Sequence, residues 1–198
     1  MPEIEGIEQR TKKNVYAKFL LNTLRSYQDM CRLDPKTANY FRTTFKHNLN
    51  PINWDGQQNY VSKKAKEFAS KKKFPKDLRT VSWLDLGDKK IQGENIEKGN
   101  GKRGLKYEHV IPTSVLFNKI SKIKTPDITN VISIMDEVRV AVITREENEN
   151  LDKKYKTNGR NNLEDALKVY KELGIIIECG ITEEKKEGKN ESDKNRNV

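Results

Sequence analysis

The sequence contains few of the residues that build metal-bound or disulfide-bonded frameworks. Only two cysteines, Cys31 and Cys179, and two histidines, His47 and His109, occur in 198 residues. The cysteines lie far apart and form no CxxC pair, which excludes a zinc ribbon or knuckle made by this chain alone and gives no disulfide framework. We therefore expect two reduced thiols and no structural zinc.

Long apolar segments are also lacking. Hydrophobic residues make up 34% of the chain, and no segment is apolar and long enough to span or anchor in a membrane. No apolar stretch follows Met1, so no signal peptide is predicted and the expected location is the cytoplasm. Aromatic residues amount to 8%, and we expect Trp54 and Trp83 to lie in the core rather than to stack on bases.

Positive charge is what the chain has in excess. The net charge is +10, and residues 11–110 contain 22 Lys and Arg against 10 Asp and Glu, whereas residues 111–198 contain 16 of each. An excess of this size in one half of a chain attracts and orients nucleic acid. The N-terminal half is therefore interpreted as a surface that binds a polyanion.

The first part of the chain is predicted to be mainly helical. Between residues 8 and 32, apolar residues recur at three- and four-residue steps, which is typical of an amphipathic helix. Asp34 followed by Pro35 has the form of a helix N-cap with proline at the first helical position. A second helix is therefore expected, ending at about Lys46.

A loop over 48–56 and a third helix over about 57–72 are expected next, with Tyr60 and Val61 on the inner face. The lysines of this helix are interpreted either as a solvated face or as contacts to DNA phosphates, and the candidates are Lys63, Lys64, Lys71 and Lys72. Residues 80–86 are predicted to form a short strand. The glycine-rich loop 99–104 matches no nucleotide-binding spacing, but its Lys102 and Arg103 are candidate contacts to the DNA backbone.

The second half alternates strands and helices. Strands are predicted at 105–111, 139–143 and 175–179, and helices at 113–123, 127–135, from Thr144 to about 155, and at 163–173. Thr144 and Glu147 have the spacing of a capping box, and Asn161-Asn162 are expected to cap the following helix. From residue 182 onward the chain is charged without periodicity and is predicted to be disordered.

His109 is the centre of the candidate site. It follows Glu108 near the end of a predicted strand, and a neutral imidazole is a suitable general base near pH 7. A hard cation prefers oxygen ligands, and a second one is expected from the capped helix after Thr144. Asn148 is preferred because it lies three residues before Leu151, on the same side of the helix, with Asp152 as a further acidic group. Asn150, rotated by about 100°, is the alternative.

These motifs resemble those of the ββα-metal (HNH) nucleases. Glu-His-Val-Ile-Pro-Thr-Ser-Val-Leu, followed by a strand ending Val-Ile-Thr-Arg-Glu-Glu-Asn, is most similar to the HNH domain of RNA-guided CRISPR nucleases, over roughly residues 105–155. The resemblance implies that His109 is the general base and that Glu108 and Asn148 bind Mg²⁺ or Mn²⁺. The middle asparagine that steadies the histidine in the family has no counterpart, and Val140 occupies the equivalent strand position. Arg145 is a candidate phosphate contact.

The expected fold class is α+β, with a mostly helical N-terminal part followed by a ββα-metal unit. We expect a basic DNA-binding region over 8–100, a nuclease region over 101–181 and a disordered tail over 182–198. The expected function is a metal-dependent DNA endonuclease that leaves 5′-phosphate and 3′-hydroxyl ends, and a type II restriction enzyme acting on double-stranded DNA as a homodimer is expected by analogy. The alternatives are a phage or mobile-element nicking nuclease, a ribonuclease toxin, and a non-catalytic nucleic-acid-binding protein with a degenerate ββα unit.

Overall fold

The chain folds as a mostly helical α+β structure with a small four-stranded sheet, which agrees with the fold class expected from the sequence. The computed structural model describes residues 2–51, 60–71, 77–80 and 104–179. The elements in chain order are α1 (Pro2–Leu33), α2 (Pro35–Asn48), β1 (Tyr60–Ser62), α3 (Lys63–Lys71), a 3-10 turn (Leu78–Thr80), β2 (Leu105–His109), α4 (Thr113–Ile120), α5 (Ile128–Glu137), β3 (Val140–Thr144), α6 (Arg145–Lys154), α7 (Leu163–Glu172) and β4 (Ile177–Cys179).

The strand order in the sheet is β2-β3-β1-β4. β2 pairs antiparallel with β3, β3 pairs parallel with β1, and β1 pairs antiparallel with β4. A strand from the first part of the chain is therefore enclosed between two strands from the second. β1, which leads into the lysine-rich helix α3, and β2, which carries Glu108 and His109, are therefore strands of the same sheet.

The sheet separates two hydrophobic clusters. Val140 and Val142 of β3 pack with α1, α2, α4 and α5, whereas Ala141 and Ile143 pack with α6 and α7. This division follows from the alternation of side chains along a strand. Because β3 is covered on both faces, its run of apolar residues is buried throughout.

Most helix boundaries follow the predicted caps. The Asp34 side chain accepts a hydrogen bond from the amide of Lys36, and Thr144 and Glu147 form the predicted capping box at the start of α6. Asn162 caps α7, which is followed by Gly174 at a φ of 68°. Glycine adopts this left-handed conformation without a steric penalty.

The predicted helix over 57–72 was wrong in its first part. Tyr60 and Val61 lie in β1, where Val61 is paired with Val142 of β3 on one side and with Glu178 of β4 on the other. The Oγ of Ser62 accepts a hydrogen bond from the amide of Ala65 at 3.0 Å, so the helix begins only after this serine. Aromatic and β-branched residues fit a buried strand better than a helix.

Several predictions fall outside the described residues. They concern the loop over 48–56 beyond Pro51, the strand over 80–86 beyond Thr80, the loop over 99–104 before Gly104, Trp54, Trp83 and the tail from 182. Among the described residues, no helix is long and apolar enough to cross a membrane.

Candidate functional site

Glu108 and His109 end the edge strand β2 and lie on opposite faces of the sheet. In the register of the sheet, Glu108 lies opposite Ala141 and His109 lies opposite Val140. Residues directly opposite each other in an antiparallel pair share a face. Glu108 therefore faces the side covered by α6 and α7, whereas His109 faces the side covered by α1 and α2.

His109 is fixed in a neutral state by its surroundings. Its Nε2 lies 2.6 Å from the carbonyl oxygen of Leu49, the first residue after α2. A carbonyl can only accept, so Nε2 carries the proton and Nδ1 keeps a lone pair. Burial lowers the pKa of His109 to about 4, although the Leu49 carbonyl opposes this effect. The imidazole is therefore uncharged at neutral pH, which a general base requires, but a pKa of about 4 makes His109 a weaker base than an imidazole with the ordinary value.

Val140, directly opposite His109, has no polar side-chain group and is fully buried. The Leu49 carbonyl supplies the hydrogen bond that a polar side chain at this position could otherwise make. Leu49 is in turn fixed because its amide donates to the carbonyl of Lys46. The end of α2 thus orients the imidazole, together with the Tyr107 ring, whose centroid is 5.6 Å from that of His109.

On the other face, Glu108 forms an ion pair with Arg160. Arg160 Nη1 donates to Glu108 Oε1 at 2.7 Å and to the carbonyl of His109 at 3.3 Å. The Arg160 side chain is 2% exposed and that of Glu108 is 19% exposed. Burial raises the pKa of Glu108 above its ordinary value, and the Arg160 charge opposes this shift. One guanidinium therefore connects the two adjacent residues of the candidate site.

The loop before Arg160 delivers its side chain to the sheet. Lys156 has a φ of 48° and Gly159 a φ of 70°, so two left-handed residues turn the chain back after α6. Arg160 Nη2 also donates to the carbonyl of Lys156, and this bond ties the side chain to its own loop. The hydroxyl of the buried Tyr170 lies beside the Arg160 guanidinium, which opposes the rise in the Tyr170 pKa caused by burial.

The predicted oxygen ligands on α6 differ in their positions. The Asn148 amide donates through Nδ2 to Asp152 Oδ2 at 2.9 Å. After burial and the opposing effects of Arg160, the charge of Asp152 contributes to the raised pKa of Glu108. Asn150 is exposed and lines a surface cavity with Lys153, Lys154 and Leu173. The preferred Asn148 is thus bonded to a carboxylate whose charge affects Glu108, whereas Asn150 lines a separate surface cavity.

A buried hydrogen-bond network fixes the start of α6. Glu147 is 3% exposed, and its Oε2 accepts from the Ser62 hydroxyl at 2.7 Å, the Thr144 amide at 2.8 Å and the Thr144 hydroxyl at 2.9 Å. The Ser62 hydroxyl belongs to β1, so one carboxylate joins β1, β3 and α6. This network sets the orientation in which α6 carries Asn148 and Asp152 toward β2.

The donor atoms near Glu108 fit a hard divalent cation. Within the described parts of the chain, no three His, Cys, Asp or Glu side chains are grouped so that they could hold a metal ion. The Glu108 and Asp152 carboxylates and the Asn148 amide oxygen nevertheless form a set of oxygen donors, because Asn148 uses only its Nδ2 in its bond to Asp152. Mg²⁺ takes few protein oxygens and completes its shell with water and phosphate. These donors are of the type that Mg²⁺ or Mn²⁺ prefers and not of the type that forms a closed zinc site, and one of the Glu108 oxygens, Oε1, already accepts from Arg160.

The predicted DNA contacts are spread over several elements. Lys63, Lys64 and Lys71 are exposed on α3, and Lys64 lies 3.8 Å from Glu146 of α6. Arg145, at the start of α6, forms an ion pair with Glu149 one turn later. Lys72, Lys102 and Arg103 lie outside the described residues. Of the described lysines of α3, Lys64 approaches α6, whereas Lys66 forms an ion pair with Glu178 of β4.

No motif in the sequence pointed directly to Arg160 or to Leu49. Asn158-Gly159 marks a turn, but the burial of the following arginine depends on Glu108, which is 52 residues earlier. The role of Leu49 is carried by its backbone carbonyl, which every residue possesses.

Comparison of the sequence with protein-family models, with curated proteins and with solved structures found no match.

Proposed function

We propose that this chain is a metal-dependent DNA endonuclease of the ββα-metal (HNH) type. The observation that carries the proposal is the end of β2. There, a neutral histidine held by a backbone carbonyl is preceded by a carboxylate on the opposite face, whose pKa responds to the charge of Asp152, the partner of Asn148. In this reading β2, β3 and α6 correspond to the ββα unit that the sequence resembles.

The chemistry assigned to His109 follows from its tautomer. With Nε2 donating to Leu49, Nδ1 takes the proton from a water molecule whose oxygen attacks the phosphorus. The bond between phosphorus and the 3′ oxygen breaks, and the departing oxygen takes a proton from solvent. Because the bond to the 3′ oxygen is the one that breaks, the products are a 5′-phosphate end and a 3′-hydroxyl end.

The oxygen donors lie on the face of the sheet opposite to His109, so they and the imidazole would act on one phosphate only around the end of the edge strand β2, where Glu108 and His109 are the last two residues. Glu108 and Asn148, with Asp152 beside them, would hold Mg²⁺ or Mn²⁺, which when bound stabilises negative charge on the phosphate and on the leaving oxygen. Arg160 orients the Glu108 carboxylate and the His109 backbone together. The Leu49 carbonyl takes the place of the asparagine that steadies the histidine in the nucleases this sequence resembles.

Within this class, we propose a type II restriction enzyme. The support is an analogy: a short basic chain joined to a cutting unit suits recognition of double-stranded DNA. Cleavage of both strands would then require a homodimer with one site per strand, and the enzyme would act in the cytoplasm. The phage or mobile-element nicking nuclease is the alternative within this class, and it would cut one strand only.

Plasmid cleavage with Mg²⁺ or Mn²⁺ tests the proposal. His109→Ala should abolish cutting and leave DNA binding nearly unchanged. His47→Ala is the matched control, because His47 is an exposed histidine on α2. Equal cutting by wild type and His109→Ala would refute the assignment of the base.

A non-catalytic nucleic-acid-binding protein is the second candidate. It is favoured by the ion pair that engages Glu108 with Arg160 and by the apolar Val140 opposite His109. Under this alternative, wild-type protein would bind DNA and leave it intact with every divalent metal. Cutting of RNA but not of duplex DNA would indicate a ribonuclease instead.

A further inference from the structure

α2 carries a pair of cations that has no acidic partner among the described residues. Arg42 and Lys46 are four residues apart on α2, so their side chains lie on the same face of the helix. Neither forms an ion pair within residues 2–51, 60–71, 77–80 and 104–179. Burial lowers the pKa of Lys46, and the neighbouring Arg42 charge lowers it further. The pair is therefore a local excess of positive charge.

Arg42 packs against an aromatic ring of α4. Its guanidinium lies over the Phe117 ring, 5.7 Å from the centroid, and its Nε is buried without a partner in the described structure. It borders a cavity of about 250 Å³ between α1 and α2, which is also lined by Tyr27 and Asn39. A stacked guanidinium keeps its edge available for bidentate contacts with phosphate oxygens.

Arg42 and Lys46 lie on α2, and the first residue after this helix contacts His109. Leu49, which holds the His109 imidazole, follows α2 directly. With a rise of 1.5 Å per residue, Lys46 is about 5 Å and Arg42 about 10 Å from Leu49 along the helix axis. Phosphates on one strand of a duplex follow each other about every 3.4 Å along the DNA axis. Arg42 and Lys46 are about 6 Å apart along the helix axis, which is close to two such phosphate steps, and both lie on the same side of Leu49.

We propose that Arg42 and Lys46 bind backbone phosphates of the DNA strand whose scissile phosphate lies at His109. The inference rests on the proposed nuclease function and extends it, since it adds α2 to the DNA-contacting surface. It assigns to the pair a positioning role: the two phosphates fix the strand so that one phosphodiester lies beside the imidazole. The ligand is the sequence-independent backbone of duplex DNA.

The test is the salt dependence of DNA binding. A fluorescein-labelled duplex is titrated with protein in EDTA, where metal-dependent cutting is prevented, and the dissociation constant is measured at several salt concentrations. Arg42→Gln/Lys46→Gln should weaken binding on the order of tenfold and reduce the slope of log K against log salt by about two, since each phosphate contact contributes about 0.9. Far-UV circular dichroism of each variant checks the fold.

Two further variants separate charge from packing. Lys168→Gln/Lys171→Gln removes the same number of charges from exposed positions on α7, on the other face of the sheet, and should leave the slope unchanged. Lys46→Gln alone, which leaves the Phe117 contact of Arg42 intact, should reduce the slope by about one.

The outcomes distinguish this inference from the proposed function. If wild-type protein binds and cuts duplex DNA and Arg42→Gln/Lys46→Gln shows the wild-type slope, the inference is overturned and the nuclease proposal survives. If wild-type protein binds no duplex DNA, both are overturned. A loss of affinity for RNA with unchanged affinity for duplex DNA also overturns the inference.

Discussion

The Arg160–Glu108 ion pair should be strongly coupled to the stability of the fold. Arg160→Met keeps an unbranched side chain of similar length and removes the charge. Glu108 would then be a carboxylate with only 19% of its side chain exposed and no cation to pair with. Loss of one partner of a buried pair costs about 3–5 kcal/mol, and the remaining exposure of Glu108 favours the lower end, about 3 kcal/mol.

Urea unfolding followed by circular dichroism measures this cost. Glu108→Gln, which leaves Arg160 buried without a counter-charge, should destabilise by a similar amount. Glu108→Gln/Arg160→Met should lie within about 1–2 kcal/mol of wild type, because removal of both charges avoids an unpaired buried ion. Arg145→Met is the control, and its half-exposed pair with Glu149 should contribute about 0.5 kcal/mol.

The pH dependence gives an independent check. An unpaired, buried Glu108 has a pKa above its unfolded value, so its destabilising effect grows as the pH rises and fades as the carboxyl is protonated. The difference in stability between wild type and Arg160→Met should therefore narrow as the pH falls toward about 4.3, the ordinary value for glutamate. A cost below about 1 kcal/mol for Arg160→Met at neutral pH, or strictly additive single and double variants, would refute this reasoning.

Three further predictions concern the same region. The pKa of His109 is about 4 in the fold and about 6.5 in the unfolded chain, so the unfolded chain binds more protons between these two pH values. The free energy of unfolding should therefore fall by about 3 kcal/mol through His109 as the pH falls from 7 to 4. His109→Gln should flatten this part of the pH profile of urea unfolding, and an unchanged profile would contradict the pKa assignment. Glu147→Ala, which removes three hydrogen bonds to one buried carboxylate, should destabilise by about 2–4 kcal/mol in urea unfolding, while Glu147→Gln should cost less. Asn148→Ala should weaken Mn²⁺ binding in calorimetry about tenfold or more and Asn150→Ala should not; equal effects would remove Asn148 from the donor set.

The helix termini were the most predictable part of the fold. Their signals are local: Asp34 with Pro35, Thr144 with Glu147, and Asn162 all satisfy amide groups a few residues away, so the cap geometry is encoded where it forms. The amphipathic pattern of α1 is likewise a property of one segment. The prediction that the third helix includes Tyr60 and Val61 was wrong because these residues pair with strands that lie more than 80 residues later.

The candidate site was predictable only in part, for the same physical reason. Residue chemistry and order indicated Glu108, His109 and the capped α6 as components. The contacts that set their states come from distant segments: Leu49 is 60 residues from His109, and Arg160 is 52 residues from Glu108. A backbone carbonyl and a buried arginine after a turn carry no pattern in the sequence, so the neutral imidazole and the ion pair could be found only from the fold.

Digestion of a long duplex DNA, followed by sequencing of the fragment ends, is the most direct test of the proposed nuclease activity. We expect purified protein with Mg²⁺ or Mn²⁺ to give fragments with 5′-phosphate and 3′-hydroxyl ends at a defined sequence, and His109→Ala to give none. Binding of this DNA without any cleavage in the presence of either metal would contradict the proposed endonuclease function.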